Sequence, residues 1–192
     1  LPVHEIQLLT ADGRQGEATP LPHFIEQRQS GLLTVRWRLT LPSQLADADI
    51  PALLMPQAVQ GFRLRLHGQL IYELSPSNVH WLYQWHAPAL VTLPKSMLAF
   101  DGRDVLEFEQ TGHMRGWLIS PMLLGEFNAL RPLSDAYAFI KLCLQQPEKP
   151  DIQIIVNQAA SQKEGEKTYA SINKACMSFL KYSPPLLGMI RK

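Results

Sequence analysis

Glu107 and Glu109 stand two residues apart in a stretch that alternates polar and apolar types, which places both carboxyls on one face of a strand, about 7 Å apart. Two carboxyls in such proximity are the equipment of a glycosidase; the default use of charged strand residues is a face turned to water. Trp81, Tyr83 and Trp85 also alternate, so their rings share one side of an extended segment. They suit the apolar face of a sugar or a cation, with core burial as the competing use of such large rings. Arg36, Arg38, Arg63 and Arg65 form an alternating outer set on two segments, where planar guanidinium forks would receive an anion or simply be solvated. The ligand-binding candidates are therefore Trp81, Tyr83, Trp85, Arg63 and Arg65. His80, His86 and His113 lack tight spacing such as His-x-x-x-His, so no metal site is expected. Cys143 and Cys176 fall on apolar helix stripes and read as buried free thiols. No catalytic constellation is complete, and no cofactor is expected.

Composition narrows the classes of function. With 192 residues, 46% of them hydrophobic, the chain can bury a core as one domain or two. A net charge of +1 and a charged fraction of 18% supply no basic face for nucleic acid. No apolar run reaches the roughly 20 residues of a membrane span, because the longest candidate, Trp117 to Phe127, is short and broken by Pro121. A soluble chain is expected. Leu1-Pro2-Val3-His4 has neither the basic region nor the apolar stretch of a secretion signal, which leaves export open.

Residue usage changes abruptly near Pro132. All six histidines and all four tryptophans precede it, and both cysteines follow it. Lys95 is the sole lysine before Lys141, and Arg191 the sole arginine after Arg131. Ten basic and twelve acidic residues leave −2 up to Pro132; eight and five leave +3 beyond it. Such a shift marks a domain boundary, dividing the chain into 1–132 and 133–192.

In the first piece Leu33, Val35, Trp37, Leu39 and Leu41 alternate with polar residues, the period of a half-buried strand. Phe62 to Tyr72 repeats the alternation and breaks at His67-Gly68-Gln69, a hairpin signal. Further strands are predicted at Ala89 to Leu93, Val105 to Gln110 and Trp117 to Leu124. The reading is a mainly β sandwich, jelly-roll-like, followed by a small α/β tail. In the tail, a helix capped by Ser134 carries Ala136, Phe139, Ile140, Cys143 and Leu144 on one face. A strand over Asp151 to Asn157, a helix from about Lys163 to Lys181 and a strand over Pro184 to Ile190 follow, half of a doubly wound sheet.

The succession "RWRLTLP", "GFRLRLHGQLIYE", "WLYQWHAPALVTLPKSML", "DGRDVLEFEQ" and "GHMRGWLISPMLLGEFNALRPL" resembles the N-terminal extracytoplasmic input domain of bacterial sensor histidine kinases and diguanylate cyclases. That group has jelly-roll domains related to carbohydrate-binding modules. The matching positions are Gly68, Trp85 to Pro88, Leu93-Pro94, Gly102, Asp104, Leu106, Gly116, Leu118, Pro121 and Gly125. Two residues depart from the pattern: Asp104 stands for an asparagine, and His67 for the asparagine of the hairpin. The resemblance implies periplasmic sensing of a small molecule or a partner protein, without catalysis; a glycan is a further candidate through Trp81, Tyr83 and Trp85.

The segments "LSDAYAFIKL", "IQIIVNQAASQKEGEKTY" and "FLKYSPPLLGMI" resemble the C-terminal part of MinD-type ATPases, in the branch that controls flagellar number and placement. The resemblance implies that Asn157, ending its strand, lies by an adenine base. Where the family supplies a proline and an aspartate after the last strand, this chain has Arg191 and Lys192. No glycine-lysine phosphate loop occurs, since Gly165-Glu166-Lys167-Thr168 falls inside a predicted helix. Two expectations result. The first is a non-catalytic sensing or binding module with a periplasmic address. The alternative is a cytoplasmic regulator or fragment related to these ATPases.

Overall fold

The computed structural model describes residues 1–10, 15–26, 33–56, 61–74, 88–112, 116–144 and 151–191. They divide into two compact units, Leu1–Leu130 and Arg131–Lys192. In chain order the first unit's strands are β1 (Pro2–Val3), β2 (Glu5–Leu9), β3 (Gln15–Pro20), β4 (His23–Glu26), β5 (Leu33–Thr40), β6 (Pro51–Met55) and β7 (Gly61–Leu66). They continue with β8 (Gln69–Leu74), β9 (Ala89–Thr92), β10 (Val105–Gly112), β11 (Gly116–Ile119) and β12 (Met122–Glu126). Helix α1 (Phe127–Leu144), β13 (Ile154–Ala159), α2 (Gln162–Leu180) and β14 (Leu186–Arg191) complete the chain.

The first unit is a sandwich of antiparallel sheets, one ordered β3-β2-β5-β10-β7-β8 and the other β1-β12-β6-β9. Its core joins Trp37, Leu39, Phe62, Leu64, Leu66, Leu106 and Phe108 of the larger sheet to Leu53, Met55, Val91, Met122 and Leu124 of the smaller. The alternation in β5, β7 and β10 therefore sends every second side chain into this core and the intervening ones out. Trp37 and Phe108, opposite each other in register, stack with ring centroids 3.5 Å apart. The β7–β8 hairpin closes through His67 (φ 50) and Gly68 (φ 78). Two successive residues with positive φ are what a tight two-residue hairpin requires.

The stretch from Trp117 to Leu124, expected as one strand, is two. β11 pairs with β4, whereas β12 pairs with β1 and β6. Pro121, lacking an N–H for a ladder, sits at the break. A second difference concerns Ser134, which lies buried inside α1 rather than at its start. The helix begins at Phe127 because Glu126 caps it: its carboxylate accepts the Asn128 N–H at 3.4 Å and also the Ile50 N–H at 2.9 Å. Pro132 costs one intrahelical bond, to the Asn128 carbonyl, which does not stop the helix.

In the second unit β13 and β14 pair in parallel, and Ile140, Ile152 and Cys176 form a small core with Cys143, Leu144, Ile154, Ile172, Leu180 and Tyr182 around it. Phe139, expected on the buried stripe of α1, is exposed; Tyr137, one turn before Ile140, is buried instead. Asn157 lies within β13 and not at its end. Gly165 is in α2 for packing, since a Cβ there would come 2.6 Å from Met189 Sδ and 3.3 Å from Ala159 Cβ. The two thiols should differ in reactivity. Cys176 is buried, and burial pushes its thiol up from the ordinary value of 9.0, while Cys143 is only half-buried. Because the thiolate is the nucleophile, a disulfide reagent at about pH 8 should label Cys143 first and Cys176 only after unfolding. Equal labelling rates in the native protein would contradict the packing described.

Candidate functional site

Outward side chains of the larger sheet collect in two cross-strand rows. Register places Gln7, Arg38, Glu107, Arg65 and Leu70 side by side across β2, β5, β10, β7 and β8. Next to them run Arg36, Glu109, Arg63 and Glu73. Opposed residues in an antiparallel sheet lie about 4.5–5.5 Å apart, so each row is a line of touching side chains.

The second row is electrostatically closed. Arg36 Nε donates to Glu109 Oε2 at 2.8 Å, Arg63 Nη1 to Glu109 Oε1 at 3.3 Å, and Arg63 Nε to Glu73 Oε1 at 2.8 Å. The Glu73 hydrogen bond raises the Arg63 pKa above its ordinary value, so the guanidinium remains charged. The first row is open at one end. Arg38 Nε donates to Glu107 Oε1 at 2.8 Å, whereas Arg65 gives one Nη1 bond to the Gly68 carbonyl at 3.1 Å. Exposed ion pairs of this kind contribute little to stability. Their main effect here is to hold side chains in a fixed geometry.

Between the rows lies a groove of about 340 Å³, lined by Arg36, Arg38, Arg63, Arg65, Glu107 and Glu109, with Leu9 and Phe108 completing it. Of the residues singled out in the sequence, Arg63 and Arg65 are thus brought together with Arg36, Arg38 and both glutamates. Glu107 and Glu109 do share a face, but arginines occupy them. Trp81, Tyr83 and Trp85, like His80, His86 and His113, lie outside the described residues. Asn157 is exposed on β13. Among the described residues no three His, Cys, Asp or Glu side chains gather as a metal site, and no helix is long and apolar enough to cross a membrane.

Glu73 is a member of the closed row that sequence reading passed over; its position opposite Arg63 in the hairpin was the available signal. Asp104, noted in the sequence only as a departure from the sensor-domain pattern, has a structural role that sequence reading did not give it. It is 3% exposed, and its Oδ1 lies 3.0 Å from His67 Nε2. It also accepts the Ala99 N–H at 3.1 Å and the Phe100 N–H at 2.7 Å. The two residues that depart from the sensor-domain pattern therefore bond to each other.

No family model matches the chain, and neither does any curated protein. Among solved structures, a β-glucuronidase of Faecalibacterium prausnitzii is 12% identical with a TM-score of 0.36, over 57% of this chain and 21% of that one. A Ruminococcus gnavus β-glucuronidase in complex with D-glucaro 1,5-lactone is 10% identical with a TM-score of 0.38, over 58% and 21%. One from Dictyoglomus thermophilum is 9% identical with a TM-score of 0.38, over 57% and 19%. The chain spans about a fifth of the length of these structures. The likeness is to part of their fold and carries nothing about chemistry. Neither the sensor-domain nor the MinD-type resemblance gains support from these comparisons. What the structure itself defines is a β-sandwich domain with a charged groove on its larger sheet, followed by an α/β unit.

Proposed function

We propose that the sandwich is a non-catalytic ligand-binding module of the extracytoplasmic sensing type used in bacterial signal transduction, with a periplasmic address and a small molecule or partner protein as ligand. The observation that carries this reading is the groove between the two rows. Its volume falls in the range of about 300–1,000 Å³ typical of small-molecule pockets. Apart from Arg65, its charged groups are fixed by cross-strand ion pairs, and the two glutamates are tied to arginines rather than poised as acid and nucleophile. The sequence resemblance to sensor input domains supports the same reading.

The test is a titration of the whole chain with a panel of sugars, sugar acids, amino acids and small anions, followed by thermal unfolding. A ligand present at a hundred times its Kd should add about 2.7 kcal/mol of stability. Turnover of nitrophenyl glycosides by the wild-type chain, abolished in Glu107→Gln, would sink the non-catalytic reading.

A second reading, a cytoplasmic regulator or fragment related to MinD-type ATPases, is favoured by one feature. β13 and β14 pair in parallel with α2 between them in sequence, and Ile155, Leu187 and Ile190 are exposed. Parallel strands are normally covered on both faces. Mg-ATP that leaves the melting temperature unchanged removes this reading.

A further inference from the structure

We infer that the groove recognises a hydroxylated monocarboxylate, a sugar acid, with Arg65 holding the carboxylate and Glu107 accepting from a neighbouring hydroxyl. The inference rests on the binding-module reading and specifies its ligand class. Arg65 has no carboxylate within ion-pair distance among the described residues; its single hydrogen bond goes to the Gly68 carbonyl. The rest of its fork remains for a bidentate acceptor, the geometry in which guanidinium and carboxylate match best.

Glu107 is Arg65's register partner on β10. Arg38 engages only Oε1 of that carboxylate, by Nε at 2.8 Å and by Nη2, so Oε2 has no protein donor among the described residues. A donor fork and an acceptor oxygen thus stand side by side, about one strand spacing apart. A carboxylate next to a hydroxyl presents the complementary pair of groups.

Charge fixes the valence. Among the described residues Arg36, Glu109, Arg63 and Glu73 cancel, and Arg38 cancels Glu107, so Arg65 leaves a single uncompensated positive charge for a single negative one. Leu70, opposite Arg65 across the β7–β8 pair and 41% exposed, offers apolar surface to the C–H face of a ring.

The experiment is calorimetric titration of the whole chain with sodium D-glucuronate, sodium D-gluconate, D-glucose and sodium acetate. Glucuronate or gluconate should bind at least about ten times more tightly than glucose or acetate, the usual weight of a charge-assisted bidentate contact. Arg65→Gln should erase that advantage and Arg65→Lys only part of it, while Arg131→Gln, at an exposed arginine that does not line the groove, should leave affinity within about threefold. Equal binding of acetate and glucuronate, or of glucose and glucuronate, overturns the sugar-acid inference, as does an Arg65→Gln variant that folds and binds normally. Saturable binding of some other panel compound in the groove then keeps the module reading. Saturable binding by no compound of the wider panel overturns both.

Discussion

Replacing Phe108 by alanine should lower the stability of the sandwich by about 3–5 kcal/mol, read as a shift in the urea midpoint at constant slope. The ring is 2% exposed and lies in β10, with β5 on one side and β7 on the other. Its loss removes buried apolar surface, and it also strips the partner from the Trp37 ring stacked 3.5 Å away. Trp37 is pinned by its own Nε1 bond to Gln110 Oε1 at 3.2 Å, so it is poorly placed to collapse into the vacated space. A domain has about 5–15 kcal/mol in total, so the variant should sit near unfolding at moderate temperature. Phe108→Leu should retain most of the lost stability. The site should respond as well, because Phe108 lies between Glu107 and Glu109, and any shift of β10 displaces both rows. A loss below about 1 kcal/mol would mean that the two sheets do not share the core described.

The two classes of element were unequally legible in the sequence. Strands β5, β7, β8 and β10 of the larger sheet declared themselves, since one buried and one wet face force a period of two, and the His67-Gly68 break could only be a turn; β2 and β3 of the same sheet did not. The arginine rows followed from the same alternation once the strands were paired. Pairing itself was not legible, because it joins Arg36 to Glu109 across 73 residues and no local rule specifies that neighbour. For the same reason Glu107 and Glu109 looked available when read along one strand, yet arginines on β5 and β7 hold them. At the start of α1 the sequence misled: Ser134 resembles a helix entrance, but the cap is Glu126, whose carboxylate is also held by the Ile50 N–H, just before β6 and 76 residues away in sequence. Phe139 illustrates the remaining gap. A helical stripe is wide enough to admit it, and only the actual packing decides that Ile140 faces Ile152 and Cys176 and that Tyr137, not Phe139, is buried.

Asp104→Ala should cost about 3 kcal/mol, a large effect for one small polar residue, because the loss is not of packing but of acceptors. The carboxylate is buried and receives the backbone N–H groups of Ala99 and Phe100 as well as His67 Nε2. Alanine would leave both backbone donors without their partner, a cost of about 1–3 kcal/mol for a donor shielded from water; Ala99 is exposed and Phe100 half-buried, which keeps the sum near the low end. Phe100 adopts a φ of 58, a conformation unfavourable for a side chain with a Cβ, and its N–H bond to Asp104 helps hold it there. Asp104→Asn should cost less, since one amide oxygen still accepts, but its NH₂ group would meet a donor. The His67 arm is weaker: that side chain is 48% exposed, so His67→Ala should cost under about 1 kcal/mol. The consequence for binding runs through the turn. His67 precedes Gly68, whose carbonyl anchors Arg65, so untying His67 from Asp104 loosens the residue that gives the groove its unmatched charge. Ligand affinity should therefore fall in His67→Ala by more than its small stability loss suggests, and a double-mutant cycle with Asp104→Asn should show the two losses to be non-additive. Strict additivity in that cycle would show that the histidine and the buried carboxylate act independently.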